Sequence, residues 1–221
     1  MNNYQEFRDA APGEVPVRGF LHHPTDPGDD WLVLTHGAGS NCEAPLLVTL
    51  ANAFCLSGLN VLRCDLPFRQ LRPHGPPAPG SAERDQHGLR SAIASVRRLT
   101  TGRVFLGGHS YGGRQASMLT ADDPGLVSSL LLLSYPLHPP RRPGELRTAH
   151  FPRLRVPALF VHGTRDGFGS IEEMEAALKL IAVTTQLLPL TAAGHELLTK
   201  RNRDEATRTI VDTFRSFAGI R

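Results

Sequence analysis

The run Arg103-Val104-Phe105-Leu106-Gly107-Gly108-His109-Ser110-Tyr111-Gly112-Gly113 constrains this chain more than any other stretch. A short apolar segment ends in two glycines. One serine follows, two more glycines come next, and Arg114 to Ala121 then carries helix-compatible residues. A strand that turns at once into a helix brings its backbone close to itself, so positions two before and two after the turn residue have no room for a Cβ. Gly108-x-Ser110-x-Gly112 meets that demand. The turn residue is held in a strained conformation with its side chain exposed at the end of the sheet. The helix behind it opens with N–H groups that no helix carbonyl can reach, which favours negative charge there. A serine in that place is a candidate nucleophile.

The rest of the chain supplies the sheet that such a turn requires. Tyr4–Arg8 reads as a short edge strand, and the weak alternation of Val15 to Leu21 as a second one. Trp31 to His36 is a continuous apolar run, the pattern of a strand covered on both faces, and Asn60 to Asp65 is the next strand. Leu126 to Tyr135, Val156 to Gly163 and Thr185 to Leu190 complete the strands. Helical spacing appears at Pro45–Ser57, Ala82–Leu99, Ser170–Ile181 and Asp204–Phe217. Two proline-rich stretches, 66–81 and 136–152, read as long irregular loops. Strands alternating with helices predict a doubly wound, mostly parallel α/β sheet. The 221 residues suit one domain over 1–221, and no connection is long enough for a large cap.

Ligands in such sheets bind where the strands end at their carboxyl termini, so the chemistry belongs in the loops after His36, Gly108, Gly163 and Leu190. A serine hydroxyl needs a base to take its proton, and the base needs an acid to hold one tautomer. In this sheet type the order along the chain is serine, acid, histidine. Asp166 is the one carboxylate in Gly163-Thr164-Arg165-Asp166-Gly167-Phe168-Gly169, and His195 the one histidine in Thr191-Ala192-Ala193-Gly194-His195-Glu196. Ser110, Asp166 and His195 therefore form the candidate catalytic set, with Asp65 as reserve acid. The loop His36-Gly37-Ala38-Gly39 is the candidate oxyanion site. Its donors would be the Ala38 N–H and the Tyr111 N–H just after the nucleophile. His36 is expected to brace that loop, His109 to turn away from the serine, and Arg114 to pair with a carboxylate. The remaining histidines lack ligand spacing, so neither metal nor cofactor is expected.

Charge and cysteine usage narrow the partners. The net charge is +3, but the arginines are scattered among acids with no basic stripe, so a nucleic-acid partner is not expected. Cys42, Cys55 and Cys64 lie in apolar surroundings without a C-x-x-C pair, which predicts buried free thiols in a reducing, cytoplasmic compartment. Met1 to Ala11 has no apolar signal-peptide core, and no run reaches membrane-spanning length.

The nucleophile turn, the Asp loop and the His loop together resemble the α/β-hydrolase fold. Four stretches are similar to its dienelactone-hydrolase-related branch, which includes the testis-expressed hydrolase-like proteins and a subunit of the non-specific lethal chromatin complex. They are Leu34–Gly39, Gly108–Arg114, Ser134–Pro140 and His162–Gly169. Dienelactone hydrolases proper resemble a cysteine-nucleophile version, and this chain has Ser110 there. The expected activity is hydrolysis of a carboxylic ester or related acyl bond in a small molecule, through an acyl-enzyme on Ser110. The competing classes are a thioesterase or peptidase, and a non-catalytic interaction module on the same fold.

Overall fold

The structure is a computed structural model and describes residues 4–220. Eight strands form one sheet: β1 (Tyr4–Asp9), β2 (Val17–His22), β3 (Trp31–Thr35), β4 (Asn60–Cys64), β5 (Val104–His109), β6 (Leu130–Leu133), β7 (Ala158–Gly163) and β8 (Thr185–Leu190). Their order is β1-β2-β4-β3-β5-β6-β7-β8. The β1–β2 and β2–β4 pairs are antiparallel, and every pair from β4 to β8 is parallel. The second strand is thus not an edge strand, because β1 covers it on one side and β4 on the other.

Six helices flank the sheet: α1 (Pro45–Leu56), α2 (Pro67–Leu71), α3 (Ala82–Arg97), α4 (Tyr111–Asp122), α5 (Ile171–Leu178) and α6 (Arg203–Ala218). The side-chain period of two in the central strands sorts the core into two layers. Val33, Leu106, Leu132 and Phe160 face α3, α4 and α5 in one layer. Leu32, Leu34, Phe105, Leu131 and Leu159 face α1 and α6 in the other. This is why the central strands read as unbroken apolar runs rather than alternating ones. On α6 the buried stripe is Ile210, Val211 and Phe214, each worth roughly 2 kcal/mol of burial. Among the described residues no inserted domain covers the carboxyl ends of the strands.

Several boundaries differ from the sequence reading. The stretch 66–81 is not wholly irregular: Pro67 opens the short helix α2, a position where its missing N–H costs nothing. The strand expected over 126–135 shrinks to Leu130–Leu133, because Pro124–Leu126 forms a single 3-10 turn and Ser134 adopts φ 48°. The elbow helix starts at Tyr111, three residues before Arg114. Ser170 is the N-cap of α5, in a capping box with Glu173. Cys42, Cys55 and Cys64 are buried free thiols, and among the described residues no helix is long and apolar enough to cross a membrane.

Three buried histidines give the fold an acid limit. Burial first, with the charge of Arg63, holds His22 near pKa 4. Burial holds His36 near 4, and burial with Arg114 and Arg153 does the same for His150. Unfolded histidine titrates near 6.5, so below that pH the unfolded chain takes up protons first. Stability is fully present above about pH 6.5 and drains away as the pH falls toward about 4, by at most about 3 kcal/mol per histidine. The urea midpoint is therefore expected to fall steeply between about pH 6.5 and 4.5. A constant midpoint over that range would show that these rings are protonated in the fold.

Candidate active site

Ser110 ends the turn between β5 and α4 with φ 50° and ψ −114°, outside the regions that a non-glycine residue favours. The glycines around it are fixed by contact. A Cβ on Gly108 would lie 2.5 Å from the Gly112 carbonyl carbon, and one on Gly112 would lie 2.5 Å from the His36 carbonyl oxygen. Main-chain bonds hold the turn: Ser110 N–H donates to the Leu133 carbonyl at 2.8 Å, and the Ser110 carbonyl accepts from Arg114 N–H at 3.0 Å.

The three residues nominated from sequence converge. His195 Nε2 lies 2.8 Å from Ser110 Oγ. His195 Nδ1 lies 2.9 Å and 3.1 Å from the two oxygens of Asp166. A carboxylate can only accept, so Nδ1 carries the proton, and Nε2 presents its lone pair to the serine hydroxyl. The acid and histidine loops are laced together by Arg165 N–H to the Ala193 carbonyl at 2.9 Å and Ala192 N–H to Thr164 Oγ1 at 2.9 Å. Burial alone would raise the Asp166 carboxyl. The hydrogen bond and charge of His195, the Phe168 N–H at 2.9 Å and His162 outweigh it, so the group stays below the usual carboxylate range and ionised.

Asp65, the reserve acid, is committed elsewhere. It accepts from Cys42 N–H at 2.8 Å and pairs with Arg18 at 2.6 Å. The brace expected of His36 is visible in atomic detail. Leu66 N–H donates to its Nε2 at 3.1 Å, so Nδ1 holds the proton and donates to the Gly37 carbonyl at 2.8 Å. Ser40 N–H reaches the same carbonyl at 3.1 Å. In a trans peptide the N–H points opposite to the C=O, so fixing the Gly37 carbonyl also fixes the Ala38 N–H. Tyr111 opens α4, which leaves its amide without a helix carbonyl, while its hydroxyl donates to buried Asp85 at 2.7 Å. Ser110, His195, Ala38, Leu46, Leu47 and Phe168 are among the residues lining a cavity of about 410 Å³.

One expectation is corrected, that of Arg114. His109 makes no hydrogen bond to Ser110 Oγ among the described residues, yet it stays in the site. Its Nε2–H donates to the His195 carbonyl at 2.9 Å, it lines the same cavity, and burial keeps it neutral. Arg114 pairs with no carboxylate among the described residues. It faces Tyr135 instead, and its buried Nε has no hydrogen-bond partner.

Sequence reasoning also missed residues that shape the site. The Phe168 ring lies 4.2 Å from the His195 ring at 31°, while its N–H holds Asp166. The Asp-x-Phe spacing carried that signal, since an aspartate commonly accepts from the N–H two residues on. His162 donates to the Gly169 carbonyl at 2.8 Å, closing the acid loop from below. Arg69, from the stretch read as loop, hydrogen-bonds the Ala38 and Ser40 carbonyls. Among the described residues no group of three His, Cys, Asp or Glu could hold a metal ion.

Known structures share this architecture. An α/β serine hydrolase homologue from Coxiella burnetii superposes with a TM-score of 0.78 at 17% identity, over 96% of this chain and 98% of its own. Est1E from Butyrivibrio proteoclasticus gives 0.76 at 15% identity, over 97% and 99%. A dienelactone hydrolase from Anabaena variabilis gives 0.74 at 21% identity, over 97% and 98%. At such identities the likeness is one of fold. The family model of the alpha/beta hydrolase domain matches residues 28–218, from just before β3 to the end of α6, and the chain belongs to that family.

Proposed function

We propose that this chain is a serine hydrolase that cleaves a carboxylic ester of a small molecule through an acyl-enzyme. The observation that carries the reading is the hydroxyl–imidazole–carboxylate chain, 2.8 Å and 2.9 Å at its two links. In the proposed cycle Ser110 Oγ attacks the carbonyl carbon while His195 Nε2 takes its proton. The tetrahedral oxyanion is held by the Ala38 and Tyr111 N–H groups, each donor worth about 3–4 kcal/mol of barrier. His195 returns the proton to the leaving alcohol oxygen as the C–O bond breaks. Water, deprotonated by the same nitrogen, then releases the acid and restores the serine. Ionised Asp166 keeps the Nδ1 proton in place and stabilises the imidazolium that forms at each step.

The cavity suits a short acyl group. Its volume is about 410 Å³, Leu46, Leu47 and Phe168 supply apolar wall, and no inserted domain extends it. The finer kinship with the dienelactone-hydrolase-related branch and its testis-expressed relatives rests on the four sequence stretches alone. A fluorophosphonate probe and a graded panel of p-nitrophenyl esters test the reading. Stoichiometric labelling is expected, with kcat/KM greatest for acyl chains of about two to six carbons and falling beyond. Folded protein that takes up no probe would favour the interaction module. Faster turnover of a matched thioester or anilide would move the substrate class.

A further inference from the structure

We propose that Arg69 is the positioning residue of the oxyanion loop: its guanidinium holds the 37–40 backbone in the orientation that presents N–H groups to the cavity. The inference rests on the serine hydrolase reading above and deepens it. Arg69 is only 3% exposed, on a five-residue helix inside a proline-rich crossing. Among the described residues no carboxylate pairs with it. Its donors go to main-chain carbonyls instead: Nε to Ser40 at 2.6 Å, Nη2 to Ala38 at 2.9 Å and to Gly75 at 2.9 Å, and Nη1 to Arg72 at 3.0 Å. A buried cation with no counter-charge is costly, and carbonyl dipoles converging on it are the available compensation. The arrangement joins two segments, since Ala38 and Ser40 belong to the loop after β3, while Arg72 and Gly75 belong to the turn after α2.

The consequence for the site follows from peptide geometry. Drawing the Ala38 carbonyl toward Arg69 turns the Gly39 N–H to the opposite edge of the same peptide. The Gly37 carbonyl is held by His36 and Ser40, which turns the Ala38 N–H likewise. Ala38, Gly39 and Ser40 line the cavity that holds Ser110, and Arg69 does not. A charge-assisted bond to a carbonyl also polarises its amide, so the Gly39 N–H becomes a stronger donor. A loop preset in this way need not reorganise when negative charge develops on the substrate oxygen. Four of the five guanidinium N–H donors go to these carbonyls, and the side chain does not line the cavity where a substrate would sit.

The test separates positioning from mere packing. In Arg69→Gln and Arg69→Lys, kcat for a p-nitrophenyl ester is expected to fall about 10–100-fold while KM stays within about twofold. Affinity for an alkyl boronic acid, which adds to Ser110 as a tetrahedral anion, should fall by the same factor as kcat. Guanidinium at millimolar concentration should restore part of kcat in Arg69→Ala and none in wild type. Circular dichroism checks that each variant is folded, and Arg69→Lys serves if the others are not. Folded variants that keep wild-type kcat and boronate affinity would overturn the proposal alone. A wild type that neither turns over the ester nor takes up the fluorophosphonate overturns the hydrolase reading and this proposal with it.

Discussion

Replacing Ser110 with alanine is expected to lower kcat on an accessible ester by about 10⁶-fold and to abolish fluorophosphonate labelling, with the fold intact. The size follows from the geometry. Oγ is the atom 2.8 Å from His195 Nε2, and nothing else in the turn can form the acyl bond. Alanine meets the same backbone strain at φ 50° as serine, so the turn keeps its shape and melting changes little. Catalysis surviving in the variant would come from the oxyanion donors and from binding alone. A loss of less than tenfold, or continued labelling, would mean that another nucleophile does the work.

The second large effect is expected at Asp166. Asparagine has almost the same shape, and its carbonyl can keep the Phe168 N–H. Its amide, however, can offer N–H where the imidazole needs an acceptor. His195 would then carry its proton on Nε2 and have no lone pair for the serine. A fall in kcat of about 10⁴-fold with little change in KM is expected. Asp65→Asn provides the contrast: its carboxylate serves Arg18 and the Cys42 N–H, so that change should act mainly on stability. A larger kinetic loss at Asp65 than at Asp166 would reverse the assignment. Stability follows the sign of the shift. The depressed Asp166 pKa contributes above the unfolded pKa near 3.9 and is lost as the pH falls through the folded value. Wild type and Asp166→Asn should therefore differ in stability at neutral pH and converge in acid.

Much of this was legible because strong local constraints wrote themselves into residue types. The elbow needs glycines that nothing else in a strand-to-helix turn would select, and the central strands need apolar residues on both faces. The acid and histidine could be named because each is the one residue of its kind in a loop at a strand end. What escaped were interactions made by residues with no distinctive neighbours. Arg69 sits among prolines in a segment whose pattern carries no period, so neither its five-residue helix nor its aim at the Ala38 carbonyl could be inferred. His109 follows the alternation of β5, yet its ring reaches a main-chain carbonyl eighty-six positions away. The interior place of β2 was hidden for the same reason: Val15–Leu21 alternates weakly, whichever side its neighbours take.

The close approach of Gly112 to the His36 carbonyl has a consequence for anyone who would redesign this chain. The nucleophile turn and the oxyanion loop meet backbone to backbone, with less space between them than one methyl group requires. Neither can be transplanted into a relative, lengthened or randomised by itself, because the donor's spacing would be imposed on a recipient wall that does not match. The smallest exchangeable cassette is both loops at once, together with whatever secures them from behind.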